Sequence, residues 1–330
     1  MITEPKRSLP AGFVRDYVVT MRPYLLFVSG ITGVAGLALA SRPPAVGTAL
    51  LGLVFFLSYG FGQALTDCFQ LDTDSISAPY RPLVRGTIRR RDVLAVSLAG
   101  LLACGLVVVR YNPWNLPFVA LTVAGLATYT HFKRRPWSGP FYNAGIVAVL
   151  LLIGYASGVG AAGAVEGRGP GSVVFVGTAV VVFFGYANFV LTGYYKDISA
   201  DRASGYRTLP VVSGLRFSST VSDSFALLSL LGVILAVRGA LTTASTATLP
   251  IVSMALLAAG VGATALGQIR LHRVDHESVA YRAIQPVVHA YILLLAGIAA
   301  LLRPSWAGGL VLFYGAFWIT MRTRPEREQI

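Results

Sequence analysis

Two short stretches of this chain hold carboxylates at spacings that suit a divalent cation. One reads Tyr195-Lys196-Asp197-Ile198-Ser199-Ala200-Asp201-Arg202. Asp197 and Asp201 are four apart, which puts them on one face of a helix. Two facing carboxylates repel each other and raise a pKa unless a cation lies between them. Mg2+ suits that place, because it takes one or two carboxylates and completes its shell with water and phosphate oxygens. The other stretch holds Asp67, Asp72 and Asp74. If it is helical, Asp67 and Asp74 share a face with Gln70 between them, and Asp72 points elsewhere. An Asp-x-x-x-Asp pattern alone also describes an ordinary solvated helix end.

Position is what sets these acids apart. They fall at the inner ends of predicted apolar helices, where a C-terminal carboxylate opposes the helix dipole and burial near a membrane is costly. The two stretches also echo each other. Each acidic cluster is followed by a Tyr-Arg pair, Tyr80-Arg81 and Tyr206-Arg207, and then by a glycine, Gly86 and Gly214. Pairing Asp67 with Asp197 gives an offset of 130 residues, which spans four predicted helices. This suggests a four-helix unit present twice, with its acidic loops facing each other across a central cavity. Arg81, Lys133, Arg134, Lys196 and Arg207 fall on the same side and could take up the charge of a leaving diphosphate. The triplet Arg89-Arg90-Arg91 reads instead as a topology anchor.

The elements that must position these groups are membrane helices. Of the 330 residues, 55% are hydrophobic and 12% charged, against about 25% charged in a soluble domain. Ten apolar runs reach or approach the length of a bilayer-crossing helix. They lie at roughly 24–40, 45–66, 93–109, 115–132, 141–164, 172–195, 217–237, 248–269, 284–302 and 306–321. None alternates with the period of a strand. With the N-terminus in the cytoplasm, 22 of the 27 Lys and Arg fall inside. The positive-inside rule thus accounts for the net charge of +13, and no nucleic-acid partner is needed to explain it. Ten spans return the C-terminus to the inside, and the acids then face the cytoplasm.

Weaker signals get ordinary readings. Cys68 and Cys104 are expected as free thiols. Ala38-Leu39-Ala40 resembles a signal-peptidase site, but the apolar run before it suits an uncleaved first helix. The Gly158 to Gly163 segment fits a dinucleotide fingerprint only in letters, with no strand before it. His272 and His276 read as a solvated loop, and His289 as an interhelical hydrogen bond. Asn143 and Asn188 lie in apolar spans, either as helix glue or as cavity wall.

These motifs resemble the UbiA superfamily of intramembrane prenyltransferases over roughly residues 20–300. The resemblance rests on Arg22-Pro23-Tyr24, on Asp74 through Tyr80-Arg81-Pro82, on Tyr129-Thr130-His131-Phe132-Lys133-Arg134, and most specifically on Lys196-Asp197-Ile198-Ser199-Ala200-Asp201 through Thr208-Leu209-Pro210. It implies an all-α polytopic membrane bundle of nine to ten transmembrane helices around a cavity, in a single domain over 1–330. The 306–321 helix would be an addition to the usual nine. It also implies Mg2+-dependent cleavage of an isoprenyl diphosphate, with the prenyl cation captured by a lipophilic acceptor such as an aromatic or quinone precursor. Asp74, Asp197 and Asp201 are then the catalytic, metal-linked acids. Asp67 and Gln70 join them as candidate metal ligands, and Arg81, Lys133, Arg134 and Lys196 are the diphosphate ligands. The expected setting is a bacterial or archaeal cell membrane.

One departure stands out. The family's first motif usually reads Asn-x-x-x-Asp-x-x-x-Asp, whereas this chain has Thr66 and Gln70 before Asp74. An amide oxygen can ligate Mg2+ but brings no charge, which weakens the expectation of a metal at the first motif. The altered motif also keeps a membrane terpene cyclase in view, in which the cation closes on its own chain. A transporter with paired acidic gates is the reading from a different class. The absence of ionisable groups across the midplane disfavours it.

Overall fold

The computed structural model describes residues 10–40, 43–44, 47–160, 169–243 and 250–324. Lys6, Arg7, Arg42, Glu166, Arg168 and Arg327, which entered the topology argument, lie outside the described residues, as do the ends of three expected helices. The described residues form helices and turns, without a strand. In chain order these are α1 (Pro10–Met21), a 3-10 turn (Pro23–Leu25), α2 (Leu26–Leu39), α3 (Gly47–Asp67), α4 (Leu71–Ser77), α5 (Arg90–Tyr111), α6 (Asn115–Lys133) and α7 (Ser138–Val159). Then come α8 (Val173–Gly193), α9 (Ile198–Ala203), α10 (Leu209–Thr243), α11 (Ile251–Leu271), α12 (Tyr281–Leu302) and α13 (Ala307–Arg322).

All ten expected apolar helices are present, as α2, α3, α5–α8 and α10–α13. Seven are both long and apolar enough to cross a membrane, and the α1–α2 pair, bent by 41°, makes an eighth if counted as one span. Nine or ten spans are reached only by counting α6, of 19 residues, and α13, of 16. The chain is an integral membrane protein. Its central element is α12, with 83% of its most apolar window inside the protein. A helix apolar all round belongs in such a place. α12 packs against α2, α8 and α11.

Close helix crossings depend on small residues. Gly36 of α2 and Gly154 of α7 each lie against the other helix's backbone, so a Cβ at Gly36 would meet the Leu151 carbonyl oxygen and one at Gly154 the Gly33 carbonyl oxygen. α8 meets α10 in the same way through Gly177 and Gly232. α10 begins ahead of its expected start because a helical turn is joined to it across a bend. Gly214 makes the bend at φ 77°, a value costly for any residue with a Cβ.

The internal repeat is real in form but differs in register from the sequence expectation. In each half a long helix ends, a short acidic helix follows, and another long helix begins: α3–α4–α5 and α8–α9–α10. Gln70 is the N-cap of α4 and Asp197 the N-cap of α9. The Asp74 N–H donates to the Gln70 carbonyl at 2.9 Å and the Asp201 N–H to the Asp197 carbonyl at 2.7 Å. Gln70 and Asp74 therefore correspond to Asp197 and Asp201, an offset of 127 rather than 130. Asp67 belongs to α3, so Asp67, Gln70 and Asp74 do not share one helical face as expected. Asp74 and Asp201 also lie in the first turns of their helices, at the dipole end that favours an acid. Only Asp67 keeps the unfavourable position. α4 and α9 pack on each other, which brings the two halves together at one end of the bundle.

Candidate active site

At that end the chain gathers four aspartates and four cations. Asp67 ends α3 and accepts two hydrogen bonds from Arg22 Nη2, at 2.9 and 3.0 Å. Gln63, one turn earlier, donates to its Oδ1 at 2.6 Å. Arg22 stands between α1 and the 3-10 turn with φ 54° and ψ 72°. A non-glycine residue in that left-handed region carries backbone strain, and here it aims the guanidinium at Asp67. Asp74 on α4 is ion-paired with Arg81, which also lies 4.0 Å from Asp67. Burial raises the Asp74 pKa, against the opposing pull of Arg81. Burial would lower the Arg81 pKa, but Asp74 and Asp67 hold it above the usual value.

The second group is built differently. Asp201 on α9 is fully buried. Its Oδ2 accepts from Thr208 Oγ1 at 3.0 Å, and Lys133 Nζ, from the end of α6, is 3.4 Å from Oδ1 and 3.9 Å from Asp197. Asp201 Oδ1 makes no hydrogen bond. Burial pushes the Asp201 carboxyl up to about 6 in spite of Lys133. Lys133 also lies 5.6 Å from the Tyr194 ring centroid and 5.4 Å from that of Tyr206, within cation–π range.

Most of these groups open into a cavity of about 210 Å3, while Asp67 and Asp201 are buried behind its lining. Arg22, Gln63, Gln70, Asp74, Arg81, Lys133, Lys196 and Asp197 line its polar end. Tyr59, Tyr129, Tyr186 and Tyr194 stand at the boundary, and Phe55, Val108, Val119, Ile146, Leu150 and Ile153 line the apolar remainder. Val54, also on the wall, is 13 residues before Asp67 on α3. At the helical rise the cavity therefore runs about 20 Å below the charged end.

Several expected site residues are found elsewhere. Arg134 is outside the cavity lining: its side chain is 53% exposed, bonded to Asp72 at 3.1 Å and 4.8 Å from the Tyr206 ring centroid. Asp72 also accepts from Tyr206 OH at 3.3 Å, across the two halves. Arg134 ends up at the rim because it follows Lys133, the last residue of α6, and one residue turns a helical side chain by about 100°. Asn188 is not cavity wall. It is buried and accepts from Ser222 Oγ, which also bonds Gln268 at 3.1 Å, joining α8, α10 and α11. Asn143 does line the cavity. His289 bonds Tyr314 OH at 2.9 Å, linking α12 to α13, and both cysteines are free thiols. His272 pairs with Asp223 at 2.7 Å.

Sequence reasoning quoted Arg22, Tyr129 and Thr208 only as marks of the resemblance, with no site role, and missed Tyr59, Tyr186, Tyr194 and Glu277. The Glu277 carboxylate accepts from Ser199 N at 2.8 Å and so anchors the first turn of α9 from the α11–α12 loop. Its distance in sequence from the acidic pair hid it. Arg22 had a signal, an arginine just before the first apolar run.

Comparison with known proteins agrees with this geometry. The model of the UbiA prenyltransferase family matches residues 27–284. The chain is 30% identical over 249 residues to digeranylgeranylglyceryl phosphate synthase of Thermococcus kodakarensis, covering 74% of this chain and 86% of that one. It is 33% identical over 223 residues to the synthase of the same name from Natronomonas pharaonis, covering 66% and 76%. Among solved structures, a UbiA homolog from Aeropyrum pernix superposes with a TM-score of 0.68 at 20% identity, covering 83% of this chain and 96% of that one. A UbiA homolog from Archaeoglobus fulgidus, bound to DMAPP and Mg2+, gives 0.62 at 17% identity, covering 87% and 99%. These structures share the fold. Sequence match, fold and the two acidic groups at the mouth of an apolar cavity agree: this chain belongs to the UbiA prenyltransferase family.

Proposed function

We propose that this prenyltransferase moves a long isoprenyl group from its diphosphate to the hydroxyl of a glycerol phosphate lipid. The observation that carries the reading is the division of the cavity into a charged end and an apolar depth of about 20 Å, which matches a diphosphate head on a hydrocarbon tail. The choice of acceptor is supported by the relatives in Thermococcus kodakarensis and Natronomonas pharaonis, whose names specify digeranylgeranylglyceryl phosphate.

Mg2+ is the fitting ion. Asp197 opens to the cavity and Asp201 Oδ1 is buried without a hydrogen-bond partner. Two hard oxygens with substrate phosphate and water make a shell that Mg2+ accepts. When bound, the ion would offset diphosphate charge and favour departure of the pyrophosphate. The rest is the work of the chain's own residues. Lys133, Arg81 and Lys196 hold the diphosphate oxygens. Lys196 lines the cavity, and no carboxylate among the described residues lies within ion-pair distance of it, so its charge is available to the substrate. The apolar walls and the tyrosine ring faces exclude water from the allylic cation, which would otherwise be hydrolysed. Asn143 offers an amide to the acceptor oxygen. Arg134 acts at the rim, holding Asp72. The placement of Lys and Arg supports a cytoplasmic N-terminus and an active site facing the cytoplasm, and the organisms of the relatives support a bacterial or archaeal cell membrane.

The test is product analysis with detergent-purified protein, Mg2+ and geranylgeranyl diphosphate. An ether-linked product from a prenylglyceryl phosphate, and none from phenols or quinol precursors, is expected. Products only from aromatic acceptors would overturn the acceptor assignment. A cyclic hydrocarbon formed with no acceptor present would revive the cyclase.

A further inference from the structure

We infer that the first acidic segment is not a metal site in this chain but an arginine clamp for the diphosphate, so that the donor is bound with one divalent cation, at Asp197 and Asp201. The inference rests on the diphosphate donor proposed above.

The two halves can be compared residue by residue, because the same local structure is built twice. Each short helix has an N-cap residue and an aspartate four positions later. In the second half the N-cap is Asp197; in the first it is Gln70. The equivalent of one of the two metal-facing carboxylates is therefore an amide. An amide oxygen offers Mg2+ a ligand without charge, and affinity for hard cations falls as charged ligands are lost.

The remaining acids of the first half are already engaged. Both oxygens of Asp67 accept from Arg22, and Oδ1 accepts from Gln63 as well. Asp74 is ion-paired with Arg81. Asp72 is bonded to Arg134, so three arginines match the three aspartates of this segment and leave it with no net charge. A bidentate-capable guanidinium fixed by a carboxylate is a preorganised phosphate ligand, and both guanidiniums line the cavity. The strained backbone of Arg22 fits this role, since its conformation delivers the side chain to Asp67. The second half differs on each point. Two aspartates share one lysine at 3.4 and 3.9 Å, and one buried oxygen lacks any hydrogen bond. Among the described residues no three carboxylate, imidazole or thiolate groups converge on one point. A cation here thus draws its remaining ligands from substrate and water.

The clamp predicts how many ions accompany the substrate. Mn2+ would be titrated into detergent-purified protein saturated with the non-ionising analogue geranylgeranyl thiolodiphosphate, and bound Mn2+ counted by electron paramagnetic resonance. One Mn2+ per chain is expected in the wild type. Asp74→Asn should still hold one Mn2+ while binding the analogue at least tenfold more weakly, because Arg81 loses its anchor. Arg81→Lys, which keeps the charge and the fold but not the planar fork, should weaken the analogue similarly without changing the count. Gln70→Asp should raise the count to two. Two Mn2+ in the wild type, with one lost in Asp74→Asn, would overturn the clamp. Failure of the wild type to bind the analogue at all would overturn the donor assignment instead, and the clamp with it.

Discussion

At the residue scale, the site sorts its cations by whether they have a carboxylate to lose. Lys133 is buried between Asp197 and Asp201. Lys133→Met should cost about 3–5 kcal/mol, the usual price of stranding a buried charge, seen as a lower melting temperature in detergent. Lys196→Met strands no carboxylate. It should leave the melting temperature within a degree or two of wild type and raise KM for the diphosphate donor. Asp197→Asn and Asp201→Asn should each reduce product formation by at least about 100-fold while the protein still melts cooperatively. Wild-type turnover in either would remove the metal assignment. Spacing and charge brought these four residues to one side of the chain's topology, and the family resemblance supplied their expected roles. Arg134 and Asn188 were not separable from them, since a sequence gives the helix a residue sits on but not which side of it faces the cavity. Arg134 missed the cavity by one position past the end of α6, and Asn188 turned toward α10 and α11.

At the scale of the element, the ten apolar helices were legible because hydrophobic length is a strong signal in a bilayer. α4 and α9 were not, because six or seven residues carry too little periodicity to declare a helix. Their N-caps set the register of the repeat, which is why that register came out three residues off. Being short, these helices depend on outside anchors. Glu277→Ala removes the acceptor for Ser199 N. It should raise the Mg2+ concentration for half-maximal activity several-fold, with Glu277→Gln restoring it through its carbonyl oxygen. An unchanged Mg2+ requirement in Glu277→Ala would mean that the loop contact does not govern α9. The α2–α7 crossing makes a plainer prediction. Gly154→Ala pushes a Cβ into the Gly33 carbonyl and should cost about 1–3 kcal/mol through overpacking, read from thermal unfolding.

At the scale of the whole molecule, the expected orientation rests on charge alone, and it can be measured. Ser199 and Trp114 are both exposed and lie toward opposite ends of the bundle. In a Cys104→Ser background, with Cys68 buried, Ser199→Cys should react with a membrane-impermeant thiol reagent only from the cytoplasmic side, and Trp114→Cys only from the other. The reverse pattern would invert the topology. The α13 helix, expected as an addition, packs its Phe313 and Phe317 rings against Phe27 of α2, so it extends the core rather than the cavity.

The ion pairs also follow the order in which the chain is made. Synthesis runs from the N-terminus, and segments fold roughly as they emerge. Arg22, Asp67, Asp74 and Arg81 all belong to the first 81 residues, so these charges can neutralise one another before the second half exists. Asp197 and Asp201 have no such partner in their own half; theirs is Lys133, which ends α6 and has been waiting since the ribosome passed it. The first half is electrically complete when it is born, and the second becomes so only by docking on the first. On the proposed reading, a newborn chain therefore completes its reaction centre only after the last acid has been added and the halves have met.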